Sequence, residues 1–583
     1  MEEFNEELKP LPIGVENFED MITGAYYYVD KTLFIKELID KRGKVNLFTR
    51  PRRFGKTLNI SMFQYYFENL KADHSEVFAG LKIMETKDMY REHQNRYPVI
   101  KMSLKGGEGS TFEMAYKRLK LEIGSEFIRH QYLLESDKLA DDEKQLYQYL
   151  IKKSMPLPPE KGENKDTEEE RELEVTAFSR SLKFLSECLE RYYDKKVIIL
   201  IDEYDVPLEK AHFRGFYPAM IDFLRSYFHD ALKTNDSLHF AILTGCLRVS
   251  KETIFTGLNN LDIVSIASNE YGEYFGFTEK EMNQTLKYYG LEEKEQEAKD
   301  WFNGYLFGDT VVYNPWSSIK YLKDMRNKEP FPKAHWANTS SNAIIRELIS
   351  VADDQTKKEI EHLMVGGTIT KPIKEDIVYA EIMDSSDNLW NFLFFTGYLK
   401  KVSKVQKDET IYFEMKIPNR EIKYIYTRHI REWFNEHTKI KQSRELLTAI
   451  LEKDVLAIED QLNERMLNLI SYFDSHASFY HGFLLGILAN IDGYEIKSNR
   501  ETGLGRSDIF MKNSGIRKNG VVIELKVMGD KDDAEDVANA ALAQIEEKKY
   551  AAELEAEGYR PILRYGIAFR GKECLVKVQD AST

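Results

Sequence analysis

The run RPRRFGKT at Arg50–Thr57 constrains the fold of this chain more than any other feature. A phosphate-binding loop needs a strand before it, a tight turn with inward N–H groups, and a helix whose N-terminus faces the anion. The reason is that unpaired N–H groups and a partial positive charge collect at a helix N-terminus. Here VNLFT (Val45–Thr49) reads as the strand and LNISMFQYYFENL (Leu58–Leu70) as the helix. Lys56 is the cation for the β and γ oxygens, and the Thr57 hydroxyl is a ligand for Mg2+. The motif departs from G-x-x-x-x-G-K-[ST] at its first position, where Arg50 stands. Taken alone, that departure leaves a basic turn before a helix as a competing reading.

A second motif answers it. VIILIDEYD (Val197–Asp205) is an apolar strand ending in paired carboxylates. Asp202 is placed to hold Mg2+ through water, and Glu203 to polarise an attacking water. The next strand, LHFAILTGCLRVSK, ends at Thr244 with Arg248 close behind. A polar group at that strand tip is suited to the γ-phosphate or the attacking water. Arg248 is a candidate for transition-state charge, in its own chain or toward a neighbouring subunit, with a surface arginine as the alternative. The candidate nucleotide contacts are therefore Arg52, Arg53, Phe54, Gly55, Lys56, Thr57, Asp202, Thr244 and Arg248, with Thr57 and Asp202 on the metal.

With 583 residues, the chain is too long for one core and suggests roughly two to four domains. Residues 1–275 alternate apolar strands, also including Tyr97–Leu104 and Asn260–Ser268, with amphipathic helices. Such runs suit strands buried on both faces in a parallel sheet flanked by helices. Residues 276–470 are mainly helical in period, interrupted by the turn-like YNPWSS (Tyr313–Ser318), and read as a lid and connecting region. The charged stretch Glu160–Glu174 reads as a solvated loop or helix end. Residues 471–583 return to an αβββαβ pattern.

That last segment carries a second constellation. Metal-dependent phosphodiester cleavage needs carboxylates to hold Mg2+ and a cation to orient water. GRSDIFMK offers Asp508, and VVIELKV on the next strand offers Glu524 and Lys526, two residues apart and so on one face. Asp508 and Glu524 are the expected metal ligands, with Lys526 completing the catalytic set. Ile523, Leu525 and Val527 point the other way, and Gln544 on the following helix can reach the site face. The first helix, in SHASFYHGFLLG, has His476 and His481 but no carboxylate; Glu495 is a substitute ligand, and Arg500 and Arg506 are candidates for phosphate.

Net charge is −15, so a nucleic acid must be gripped by a local basic patch, for which Arg50, Arg52 and Arg53 are candidates. Residues 471–583 carry 18 acidic and 15 basic side chains, which argues against tight unspecific binding by that segment alone. The three cysteines, Cys188, Cys246 and Cys574, lack disulfide-framework number and metal-ligand spacing and read as buried thiols. No apolar run approaches the roughly 20 residues that span a bilayer. The acidic opening MEEFNEELKP lacks an export signature, so a cytoplasmic location is expected.

The segments LPIGVENFEDMITGAYYYVDKTLFIKEL, FTRPRRFGKT, ILIDEYDVPL, TGCLRVSKETIFTGLNN, WFNGYLFG, VYNPWS and FLFFTGYLK resemble the bacterial AAA-ATPase-like proteins over roughly residues 8–420. That family's loop also reads RPRRFGKT, so the resemblance makes Arg50 its regular form. GRSDI and IELKV resemble the PD-(D/E)XK nuclease superfamily over about residues 471–578. Together they imply an α/β fold, with an AAA-like P-loop NTPase domain, a helical lid and middle region, and a small restriction-endonuclease-like C-terminal domain. The implied activity is ATP hydrolysis coupled to Mg2+-dependent cleavage of DNA in preference to RNA. A switch or scaffold whose nuclease-like domain binds without cleaving is the alternative. A homo-oligomer and a role in host defence or mobile elements are further expectations by analogy alone.

Overall fold

The computed structural model describes residues 8–69, 74–155, 167–248, 254–255, 257–336, 354–364, 366–375, 379–382, 385–437, 440–469, 477–488, 494–502, 505–513, 519–529 and 531–580. They form two compact units, one of residues 1–336 with 370–421 and the other of residues 337–369 with 422–583.

The first unit is built on five parallel strands, β1 (Val45–Thr49), β2 (Val99–Ser103), β3 (Val197–Asp202), β4 (Leu238–Gly245) and β5 (Leu261–Val264), in the order β2-β3-β4-β1-β5. Every residue of β1 and β3 is buried, as continuous apolar runs require when helices cover both faces. Register brings the carboxyl ends together, with Thr49 opposite Gly245 and Ser103 opposite Asp202. In open α/β sheets that edge is where ligands bind. Helix Lys56–Phe67 follows β1 directly.

The region read as mainly helical also contains six strands among the described residues. β6 (Phe277–Thr278), β7 (Tyr305–Phe307) and β8 (Thr310–Tyr313) form one sheet; β9 (Ile369–Pro372), β10 (Lys400–Lys407) and β11 (Thr410–Lys416) form another. At two to four residues, β6 to β9 are too short to impose a period of two on the sequence, whereas β10 and β11, at eight and seven residues, form a hairpin that the reading missed. YNPWSS is a helix start, since the Asn314 side chain caps the Ser317 N–H and Pro315 takes the first helical position. Part of the acidic stretch likewise opens helix Glu168–Tyr193, with Thr167 and Glu170 in a capping box and three glutamates facing the positive end of the helix. Residues 160–166 of that stretch lie outside the described residues.

The second unit contains a mixed sheet of β12 (Tyr494–Thr502), β13 (Gly505–Asn513), β14 (Gly520–Val527), β15 (Ile562–Arg570) and β16 (Glu573–Asp580), in that spatial order. Only β14 and β15 are parallel, and helix Ala534–Glu547 makes the crossover between them. One sheet face packs Ile509, Val521, Ile523 and Leu525 against Leu446, Ile458, Leu462 and Leu484 from three helices. The expected connecting region is thus divided: its last helices, Ile440–Glu452 and Val455–Leu469, help build the core of the C-terminal sheet. The other face packs Phe510 and Val522 against Ile545 and Leu554.

Arg50, the departure from the loop consensus, is fully buried. Its Nη1 donates to the Thr49 and Val264 carbonyls at 3.0 and 2.9 Å, and its Nη2 to the Glu270 carbonyl at 3.3 Å. The guanidinium lies 5.0 Å from the centroids of both Phe275 and Phe307. Burial lowers its pKa to about 9, so it stays charged at neutral pH. This side chain ties the ends of β1 and β5 to the segment at Glu270 and Phe275, a task no glycine can perform. Arg50→Gly, which restores the consensus, is expected to lower unfolding stability by about 2–5 kcal/mol by stranding buried carbonyls, as read by denaturant titration. Equal or higher stability would remove this account of the substitution.

Candidate functional site

The phosphate loop has left-handed backbone at Arg53 (φ 73°) and Gly55 (φ 81°). Alternation of this kind turns successive N–H groups toward one concavity. Nothing lies within 4 Å of where a Gly55 Cβ would stand, so the loop opens onto free space. Lys56 is buried, with its Nζ donating to the Arg50 and Pro51 carbonyls at 3.0 and 3.1 Å, and Cys246 Sγ lies 3.6 Å away. The loop thus folds over its own ammonium group.

Asp202 joins the motifs. Thr57 Oγ1 donates to its Oδ2 at 2.7 Å, and Thr244 Oγ1 donates to its Oδ1 at 2.5 Å. Burial, and then the charge of Glu203, push the Asp202 carboxyl above its ordinary pKa; the two hydroxyls and Lys56 oppose them. These hard oxygen donors, with a buried lysine beside them, fit a Mg2+–nucleotide complex. Glu203 follows in left-handed backbone (φ 55°), a conformation a non-glycine residue holds only where surrounding structure enforces it. Among the described residues it has no hydrogen bond through its carboxylate.

Other loop side chains are engaged by the protein itself. Arg52 pairs with Glu209 at 2.6 Å, Arg53 lies 4.2 Å from the Trp316 ring centroid, and Phe54 is buried against Tyr305 and Phe307. With Arg50 buried as well, two of the three arginines offered as a polyanion grip are taken by internal contacts, while Arg53 stays exposed over Trp316. Gly397, at φ 90°, packs where a Cβ would come within 3.0 Å of Pro51, so the FFTGY turn closes on the loop only with glycine there. Arg248 pairs with Glu375 at 3.4 Å.

Asp205 is the residue the sequence reading passed over, although it stands in IDEYD. Its Oδ2 accepts from the Cys246 and Leu247 amides at 2.8 and 2.9 Å and from the Tyr379 hydroxyl at 3.3 Å. It fixes the turn that follows Thr244. Burial, then Glu203, raise its pKa to about 6.

In the C-terminal unit, Gln544 reaches the expected face. Its Nε2 donates to Glu524 Oε1 at 2.5 Å and its Oε1 accepts from Lys526 Nζ at 2.7 Å, so one amide bridges both charges. Ile523 and Leu525 enter the opposite core, as alternation requires, and Val527 packs against it. Glu524 is buried, because helix Ala534–Glu547 crosses that face. Asp508 lies on β13 next to Ile509, which pairs with Ile523, so 508 and 524 are the next positions of the two strands. The side chains of Asp508, Arg500 and Arg506 lie outside the described residues, as does His476. Among the described residues no group of three or more His, Cys, Asp or Glu is gathered as a metal site, and no helix is long and apolar enough to cross a membrane.

A parallel sheet with this loop at its carboxyl edge, and a mixed sheet with E-x-K beside a helical glutamine, define an α/β chain that joins an ATPase-like unit to a nuclease-like one. Comparison with known families agrees. Residues 12–255 match the family described as predicted AAA-ATPase, and residues 476–579 match the PD-(D/E)XK nuclease superfamily. The chain therefore combines an AAA-ATPase-like region with a PD-(D/E)XK nuclease superfamily domain. It is also 25% identical over 576 residues, 96% of each chain, to the "Uncharacterized protein in vnfD 5'region" of Azotobacter chroococcum mcd 1.

Asp205 gives a pH signature. Its folded pKa of about 6 exceeds the ordinary 3.8, so the folded state binds more protons between those values and its stability falls as pH rises through them. Asp205→Asn removes that slope. Relative to wild type, the variant should gain about 3 kcal/mol between pH 4 and 7, measured by unfolding at each pH. A pH-independent difference would contradict a raised pKa.

Proposed function

We propose that the chain binds and hydrolyses ATP in its first unit and uses that cycle to control a Mg2+-dependent nuclease in its second, with DNA as the preferred substrate. The observation that carries the ATPase half is the Asp202 carboxylate bound to both Thr57 and Thr244 beside Lys56. In this reading Lys56 and the loop amides hold the β and γ phosphates, and Thr57 and Asp202 hold Mg2+. Bound there, the ion neutralises charge on the phosphate oxygens. Glu203 orients and takes a proton from the attacking water, Thr244 fixes Asp202, and Arg248 faces the transferring phosphate.

The nuclease half is supported by Glu524 and Lys526 sharing Gln544 on one face of β14, and by Asp508 at the adjoining position of β13. Asp508 and Glu524 would hold the divalent ion, which supplies Lewis-acid activation of the scissile phosphate. Lys526 orients the attacking water, and Gln544 holds both side chains in place. A second reading, in which this domain binds nucleic acid without cleaving it, is favoured by the absence of a carboxylate in helix Ala477–Leu488.

The two are separated by assaying plasmid, linear and single-stranded DNA with Mg2+, with and without ATP. Lys56→Ala is expected to lower phosphate release about 100-fold or more. Asp508→Ala and Glu524→Gln should abolish cleavage while leaving ATP turnover intact. Cleavage by wild type no greater than by Asp508→Ala on every substrate would leave the binding-only reading.

A further inference from the structure

The paired side chains of Arg248 and Glu375 are each carried one residue beyond a backbone clamp. Asp205 holds the amides of Cys246 and Leu247, and Arg248 follows immediately. That turn borders the phosphate loop, since Cys246 Sγ lies 3.6 Å from Lys56 Nζ. On the other side, the fully buried Asn391 donates to the Pro372 carbonyl at 2.9 Å and accepts from the Lys374 amide at 3.0 Å. Glu375 follows Lys374. Its Oε2 lies 3.4 Å from Arg248 Nη1 and 3.4 Å from Ser265 Oγ at the end of β5. Four residues on, the buried Tyr379 hydroxyl meets Asp205 itself.

Resting on the ATP-site reading above, we infer that Glu375 is an autoinhibitory anion that occupies Arg248 when the γ-phosphate is absent and competes with that phosphate for it. Three observations carry this. Arg248 stands on the turn that Asp205 pins beside the loop, where a terminal phosphate needs a cation. Its carboxylate partner comes from a different segment, which Asn391 holds so that Glu375 reaches the turn. The pair is open to exchange: Glu375 is 41% exposed and the contact is 3.4 Å long, against 2.6 Å for Arg52–Glu209, whose carboxylate is 14% exposed. A carboxylate and a phosphate present the same charge-assisted acceptors to a guanidinium, and the phosphate carries more charge, so it displaces Glu375. ADP, which lacks the γ-phosphate, leaves the pair closed.

The test is binding of a non-hydrolysable ATP analogue and of ADP to the full chain, by calorimetry, for wild type, Glu375→Gln, Arg248→Ala and the double variant. Glu375→Gln should tighten analogue binding about three- to five-fold, the scale of one partly exposed ion pair, and leave ADP unchanged. In the Arg248→Ala background the same substitution should change neither. An equal gain for ADP, a gain that survives Arg248→Ala, or no gain in the single variant would overturn the competition. Wild-type chain that binds neither nucleotide, with Lys56→Ala indistinguishable from it, would overturn the ATP-site reading itself, a separate result.

Discussion

The contact on which the first unit depends is the grip of one buried carboxylate, Asp202, on two hydroxyls. Thr57 opens the helix after β1, Thr244 ends β4, and Asp202 ends β3 between them in the chain. A buried carboxylate is tolerated only when its acceptors are filled, so Asp202 requires the three strand ends to stay in register. The proposed function uses the same contact, since Asp202 and the Thr57 hydroxyl that holds it are the groups that would share a cation. Structure and chemistry coincide at that oxygen pair.

Around this centre four further charged side chains contact the protein itself. Arg50 serves carbonyls, Arg52 serves Glu209, Arg53 lies over Trp316, and Asp205 caps a turn. Contacts to Phe307 in β7 and to Tyr379 extend this reach, so the loop's shape is set by residues far away in sequence. A loop held this way is preorganised, and the free energy of nucleotide binding need not be used to order it. The C-terminal site follows the same plan on a smaller scale, with Gln544 spanning Glu524 and Lys526 from a crossover helix.

Much of this was legible in the chain. The strands β1, β3 and β4 are continuous apolar runs with sharp polar ends, and local pattern alone locates Val45–Thr49, Val197–Asp202 and Leu238–Gly245. E-x-K alternation correctly separates Glu524 and Lys526 from the core-facing Ile523 and Leu525. The sequence was silent where partners are distant. Glu209, Trp316 and Tyr379 lie more than 150 residues from Arg52, Arg53 and Asp205, and no local signal marks such pairs. It was silent too on the burial of Glu524, because whether a strand face meets water depends on what crosses over it.

The sequence by itself determined the classes of element and the chemistry they carry: a lysine and threonine after a strand, carboxylates at the next strand's end, and an E-x-K strand near the C-terminus. Local hydrogen bonding and side-chain alternation act over a few residues, so a single stretch encodes them. Tertiary structure decided which charges remain available. Burial of Arg50 and Glu524, the pairing of Arg248 with Glu375, and the raised pKa of Asp205 all arise from desolvation and contacts between segments that only the folded chain brings together.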